Sequence, residues 1–195
     1  MNSCRTTLAS HLMVFLVVTA LYPGCSGTTT DSTAGDRAGF VLRKISDETN
    51  DIEYPHIISA GSPDTAEKMN AAISDLVFSY IDSSKADYAR AISGRENDPR
   101  TRPLNIWVKY LIGANSGGLF SVVFTLSQYT GGAHPMSEMQ SLTFDLASGD
   151  VIELSGLFRG NSDYSGTVSD IVKKSFAKLD IELLEEFESI EPDND

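Results

Sequence analysis

Between residues 119 and 129 the chain runs L-F-S-V-V-F-T-L-S-Q-Y, and Phe120, Val122, Phe124 and Leu126 recur at a spacing of two. Period two places those four side chains on one side of a strand, so that side is predicted to be buried while Ser121, Thr125 and Ser127 take the other. The preceding run at 104–112, L-N-I-W-V-K-Y-L-I, has the same strand-like character. The G-A-N-S-G-G between the two runs predicts a long antiparallel hairpin. A second hairpin is predicted from 139–146, the turn A-S-G-D at 147–150, and a short strand at 151–154. Upstream, 40–45 and 52–58 are short strand-like runs joined by a polar turn at 47–51. Pro55 lacks an N–H for a ladder, so it places the second of these at a sheet edge or a bend.

Two segments carry helical spacing instead. Ser62-Pro63 supplies an N-cap and a first-turn proline, Asp64 and Glu67 suit the positive end of a helix dipole, and Met69, Ile73, Leu76 and Tyr80 fall on one face. A second helix is predicted over 164–187, with Val168, Ile171, Val172, Phe176, Leu179 and Leu183 as its apolar stripe. Residues 92–103 are a loop by composition. Together these predict an α+β fold, a mainly antiparallel sheet of about five or six strands with two helices packed on one face.

The N-terminus follows a different logic. Arg5 gives a weakly positive start, and 12–22 form an apolar run of eleven residues, short of the ~20 that span a bilayer as a helix. Residues 1–24 are therefore expected to be a signal peptide. The following P-G-C-S-G resembles a bacterial lipoprotein signal, with Cys25 as the lipidated first residue, although Leu21 sits one place early for that pattern. The alternative is an ordinary secretory signal cut nearby, which leaves Cys25 as an unpaired thiol in an oxidising compartment. Cys4 leaves with the signal in either case. Residues 25–37 then form a polar flexible tether, and 38–180 the folded domain. The expected location is the bacterial cell envelope, exported and lipid-anchored, on its periplasmic or outer surface.

Charge narrows the partners. The formal net charge is −12. Eight of the acids (Asp180, Glu182, Glu185, Glu186, Glu188, Glu191, Asp193 and Asp195) fall at the C-terminal end with no Lys or Arg among them, leaving −4 for the rest. No basic face exists to neutralise phosphates, so no nucleic acid is expected as a partner. Residues 181–195 are expected to be an acidic helix end and tail.

Catalytic patterns are sparse. The chain has no G-x-S-x-G, P-loop or H-E-x-x-H. After loss of the signal, His56 and His134 are the remaining histidines and lie far apart in sequence. No catalytic residue, cofactor or metal ligand set is assigned. Thr143-Phe144-Asp145-Leu146 touches the T-F-D-D metal motif of polysaccharide deacetylases, but leucine stands at its second aspartate. The remaining candidate is the run Q-Y-T-G-G-A-H-P at 128–135. Two glycines after a buried strand permit a sharp reversal, and a histidine held by proline can pin that turn against a carbonyl or Tyr129. Tyr129, Gly131, Gly132, His134 and Pro135 are thus a candidate binding turn, with a purely structural turn as the simpler reading.

That run, followed by F-D-L, S-G-D and V-I-E-L-S-G-L-F, resembles the extracytoplasmic domain of unknown function shared by the lysozyme-sensing anti-sigma factor RsiV and the peptidoglycan deacetylase PdaC. The upstream I-E-Y-P-H-I and the helix containing Met69-Asn70-Ala71-Ala72-Ile73 are similar to its companion N-terminal module, and the resemblance covers roughly 38–180. It implies an envelope-attached α+β domain whose best-understood relative binds lysozyme, without catalysis, since in PdaC the chemistry belongs to a separate domain. Members continue past the last helix with further strands, where this chain has its acidic tail. An open sheet edge or a shortened member is the expectation that follows. The functional expectation is a non-enzymatic envelope lipoprotein that binds a lysozyme-like protein or peptidoglycan. A hydrolase using His134 with Asp145 or Asp150, and a structural or shortened member without ligand, stay open beside it.

Overall fold

The structure, a computed structural model, describes residues 36–160, 162–179 and 189. They divide into two compact units, one ending at Val151 and the other beginning at Ile152. The first unit contains β1 (Gly39–Ser46), β2 (Asn50–Ser59), α1 (Pro63–Ile92), β3 (Asn105–Ser116), β4 (Leu119–Tyr129) and β5 (Met136–Asp145). The five strands form one sheet in chain order. Neighbours pair antiparallel except β2 and β3, which pair parallel from Asn50 opposite Ile106 to Ile52 opposite Val108. A parallel pair needs a crossover, and α1 supplies it. The fold is α+β, with a mostly antiparallel sheet.

The period-two stripe of β4 is buried as expected: Phe120, Val122, Phe124 and Leu126 are all fully inaccessible. Ile106, Val108, Ile52 and Phe144 extend that core across the sheet, and α1 closes it with Ala66, Met69, Ile73, Val77 and Ile81. Each such large side chain contributes about 1.5–3 kcal/mol on burial. The stripe of α1 departs from the sequence expectation after Ile73. The expected Leu76 and Tyr80 are half-buried, while Val77 and Ile81 are the core positions. Stepping by four residues rather than three at Ile73 keeps the stripe over the sheet and turns Leu76 and Tyr80 to its flank.

Local chemistry sets the element ends. The Ser62 hydroxyl accepts from the Thr65 N–H at 3.1 Å, with Pro63 in the first turn. Gly117 and Gly118 both adopt positive φ (65° and 78°), so the β3–β4 turn is a two-residue reversal. In the β1–β2 turn one carboxylate oxygen of Asp47 accepts from the backbone N–H groups of Thr49 and Asn50, each at 2.8 Å. Those bonds, with the Asn50 side-chain amide as the largest influence, hold the Asp47 carboxyl down at about 2.

Two asparagines act as backbone mimics. Asn70 on α1 accepts from Ile57 N–H at 2.8 Å and donates to Ile57 C=O at 2.9 Å. Asn115 on β3 does the same for Ala38, at 2.7 and 2.8 Å. β3 pairs with β2 only as far as Ile52. Beyond it the free edge of β2 contains Pro55, which needs no partner, and Ile57, which receives Asn70 instead.

One expected element is absent. Residues 151–154 do not form a strand: Val151 makes an isolated bridge to Phe144, and a 3-10 turn occupies Leu154–Leu157. The reversal before it is tightly packed, since Gly149 has φ 75° and a Cβ there would lie 2.9 Å from the Thr65 carbonyl oxygen. In the second unit α2 (Tyr164–Leu179) buries Val168 and Val172, with Phe158, Ile171 and Phe176 packed on them. The expected extension of this helix to 187, including Leu183, lies outside the described residues, as do the signal segment, Cys25, the tether through residue 35 and the acidic tail apart from Ser189.

Candidate functional site

Tyr129 ends β4 opposite Asn105, and Met136 begins β5 opposite Gln128. The residues from Tyr129 to Pro135 therefore form the loop of the β4–β5 hairpin. Ser127 and Ser137 join their hydroxyls at 2.8 Å on the last rungs before it. Tyr129 is half-buried, whereas residues 130–138 are all exposed. Gly131 has φ 93°, and a Cβ there would fall 2.9 Å from Arg102 Cβ. Arg102 is in turn held by Tyr88 of α1, whose hydroxyl donates to its carbonyl at 2.6 Å. Gly131 is thus required twice, by its backbone conformation and by the close approach to Arg102. Gly132 has neither constraint: a Cβ there would meet nothing within 4 Å, and its φ is not positive.

His134 Nδ1 lies 2.9 Å from the Pro135 carbonyl oxygen. A carbonyl can only accept, so Nδ1 is the donor in this contact. This is the turn-pinning role expected from the sequence. It leaves an exposed imidazole on a hairpin loop, with no hydrogen-bonded carboxylate or nucleophile among the described residues.

The carboxylates proposed to work with His134 are elsewhere. β5 runs from beside His134 to Asp145, and nine residue steps along a strand span about 30 Å. At that far end Asp145 Oδ1 accepts from Ala147 N–H at 2.7 Å, closing the turn. Asp150 pairs with Lys68, which holds its carboxyl below the usual range, aided by the Ser148 hydroxyl. Leu146, at the place of the second aspartate of the deacetylase motif, is fully buried in the core. A carboxylate at that position would have to ionise in an apolar interior, so T-F-D-L is a strand end rather than a metal site.

His56 lies on β2, three strand positions from β5, a separation of about 14 Å at the usual strand spacing. The two histidines are not brought together. Among the described residues no three His, Cys, Asp or Glu side chains converge, and no helix is long and apolar enough to cross a membrane.

The main charge cluster, on the sheet itself, was not foreseen. Lys44 of β1 and Lys109 of β3 flank Asp51 and Glu53 of β2, with Nζ–O distances of 2.6–2.9 Å. Hydrogen bonding to Lys109 and Lys44 holds the Asp51 carboxyl below its ordinary value, and the same pair, Lys44 first, does so for Glu53. Both lysines are raised in return. The cluster is internally neutralised, which makes it a surface brace rather than a binding site. Its only sequence signal was the alternation of charge on strands whose pairing partners were unknown.

Residues 45–137 match the family model described as deacetylase PdaC, so the matched segment includes β2, α1, β3, β4 and the whole candidate loop. Solved structures of two DUF3298-family proteins share the fold. One from Bacteroides fragilis aligns with a TM-score of 0.54 at 13% identity, over 78% of this chain and 73% of that one. One from Pseudomonas aeruginosa aligns at 0.50 and 13%, over 74% and 68%. No protein of curated function matches the chain. Over residues 45–137 the chain is thus similar to the PdaC family model, and it shares its fold with the two DUF3298 structures.

Proposed function

We propose that this PdaC-like domain is a non-enzymatic binding module of the bacterial cell envelope, exported and anchored through a lipid on Cys25. Its partner would be a lysozyme-like protein or peptidoglycan. The observation that carries the non-enzymatic part is the placement of chemistry along β5. His134 sits at one end of the strand and Asp145, committed to a turn, at the other. General acid–base catalysis needs such groups within hydrogen-bond reach of one substrate atom. The loop from Tyr129 to Pro135 instead offers exposed glycines and a histidine beside a half-buried tyrosine on a hairpin, the kind of connection that carries recognition. The envelope role follows from the signal-like segment at residues 1–24 and the lipoprotein-like P-G-C-S-G at Cys25. The net charge of −12 suits a basic protein such as lysozyme through long-range attraction.

The test is retention of purified lysozyme and of peptidoglycan sacculi by the immobilised protein near physiological ionic strength, with a His134→Ala, Tyr129→Ala variant beside it. Retention of one of them, weakened in the variant, is the expected result. Retention of neither removes the proposal. Mass spectrometry of the mature N-terminus checks the anchor independently, and a diacylglyceryl-modified Cys25 is the expected species.

A further inference from the structure

The two edges of the sheet are built differently. β1, at one edge, presents Arg43 and Lys44 to solvent, the charged decoration that discourages a further strand. β5, at the other edge, is ten residues long, M-S-E-M-Q-S-L-T-F-D, without lysine, arginine, proline or glycine. Among the described residues it pairs with β4 and, through Phe144 alone, with Val151. Among the described residues of the first unit no strand pairs with its outer edge from Met136 to Thr143, about 24 Å of strand.

A groove of about 480 Å³ runs beside that edge. Leu76, Ser79 and Tyr80 of α1 form one wall, and Glu138, Gln140 and Leu142 of β5 the other. It exists because the inner face of the sheet, apolar on β4 from Phe120 to Leu126, becomes polar at Glu138 and Gln140 of β5, so α1 does not close over it. Two carboxylates line it, Asp75 and Glu138, with no basic residue. Six other surface acids, Asp51, Glu53, Asp82, Asp87, Asp98 and Asp150, have Lys or Arg partners, which the groove does not offer its own two. Among the described residues Glu138 is met by the Gln140 amide alone, at 3.0 Å, and no ion pair reaches Asp75. Between them burial pushes the Tyr80 hydroxyl up to about 12, so it stays a hydrogen-bond donor.

We propose that the open edge of β5 takes an extended cationic segment of a partner protein as a sixth strand, with that segment's inward side chains seated in the groove between Asp75, Tyr80 and Glu138. The inference rests on the binding-module reading and adds to the loop a second contact surface with a stated partner chemistry. Main-chain pairing along β5 supplies affinity, and the groove selects which strand is accepted. Apolar side chains meet Leu76 and Leu142, and a basic one meets the two unneutralised carboxylates. A second copy of this chain fits less well, because β5 against β5 would juxtapose acidic strands with no cation on either.

The probe is the peptide Ac-Lys-Val-Lys-Val-Lys-Val-Lys-Val-amide, fluorescently labelled and titrated into the protein at physiological salt. It is compared with the same peptide N-methylated at alternate residues, which keeps the charge but cannot pair. The expected result is saturable binding of the first, none of the second, and an affinity about tenfold lower in Asp75→Asn, Glu138→Gln protein, the scale of two partly exposed ion pairs. That double variant is isosteric, and an unchanged unfolding midpoint shows that its fold is intact. Equal binding of both peptides, indifference to the double variant, or sedimentation showing a dimer that excludes the peptide each overturns the inference. If sacculi or lysozyme are retained while the probe fails to bind, the edge proposal falls and the binding-module reading stands. If neither binds, both fall.

Discussion

Replacing Asn70 by alanine removes two hydrogen bonds at once and strands the groups they served. Ile57 is 2% exposed, and its N–H and C=O both face Asn70, at 2.8 and 2.9 Å. A hydrogen bond lost on the surface would cost about 0.5–1.5 kcal/mol, but a buried partner left unmet costs about 1–3. Asn70 is itself half-buried, so water can reach part of the vacated space. The expected loss is about 2–4 kcal/mol, or a fall in Tm of about 5–15 °C for a chain of this size. Urea unfolding followed through Trp107, the only tryptophan, measures it on β3, next to the strand the clamp secures. The midpoint should fall with the slope unchanged, because the surface exposed on unfolding stays the same. Asn70→Asp sharpens the reasoning. At neutral pH its carboxylate can accept from Ile57 N–H but repels the C=O, whereas the protonated acid can donate again. Its deficit against wild type should therefore shrink as the pH falls through the carboxyl's titration. A loss below about 0.5 kcal/mol in the alanine variant, within the ordinary scatter of surface changes, would refute the clamp.

Glycine chemistry gives a paired expectation: Gly149→Ala should cost about 2–3 kcal/mol from a strained positive φ and a clash with backbone, while Gly132→Ala, with open space and no such φ, should be near neutral by the same unfolding assay. Acid should loosen the β1–β2 turn. The Asp47 carboxyl is depressed from 3.8 to about 2, so its stabilisation is complete above 3.8 and fades as the pH falls from there towards 2. Asp47→Ala should flatten that part of the pH–stability curve, and an unchanged acid limb would show that the turn bonds do not matter. The brace formed by Lys44, Asp51, Glu53 and Lys109 is exposed, so Lys109→Met should weaken stability at low ionic strength and become indistinguishable from wild type in 1 M salt, where screening reaches about 3 Å.

Which of these features the sequence reveals follows from how local their causes are. The β4 stripe and the cap at Ser62-Pro63 depend on neighbours a few residues away, and both stand as expected. The parallel pairing of β2 with β3 depends on a crossover through α1, so no local pattern announces it. β5 starts at Met136 rather than at 139 because its first residues lie on an edge, exposed on both sides, where burial imposes no alternation. Val151 to Leu154 is apolar enough for a strand, yet the reversal packed against Thr65 leaves room for a single bridge. On α1 the choice between Leu76 and Val77 turns on a single residue of phase, and both are good core residues. Asn70 and Asn115 look like ordinary polar positions until their backbone partners are in place. At the candidate loop, the His134–carbonyl contact was legible from histidine, proline and glycine together. That the carboxylates stand a strand's length away was not, because it depends on the direction in which β5 runs.

The central claim is binding without chemistry at the Gly-Gly-His loop. Its most direct test is to incubate the protein with purified peptidoglycan and to follow both retention and the masses of every released fragment, for wild type and His134→Ala. The account predicts that wild type is retained and the polymer comes back unmodified, with no hydrolysed or deacetylated product for the variant to lose. Release of modified fragments by wild type, abolished in His134→Ala while the fold stays intact, would contradict it.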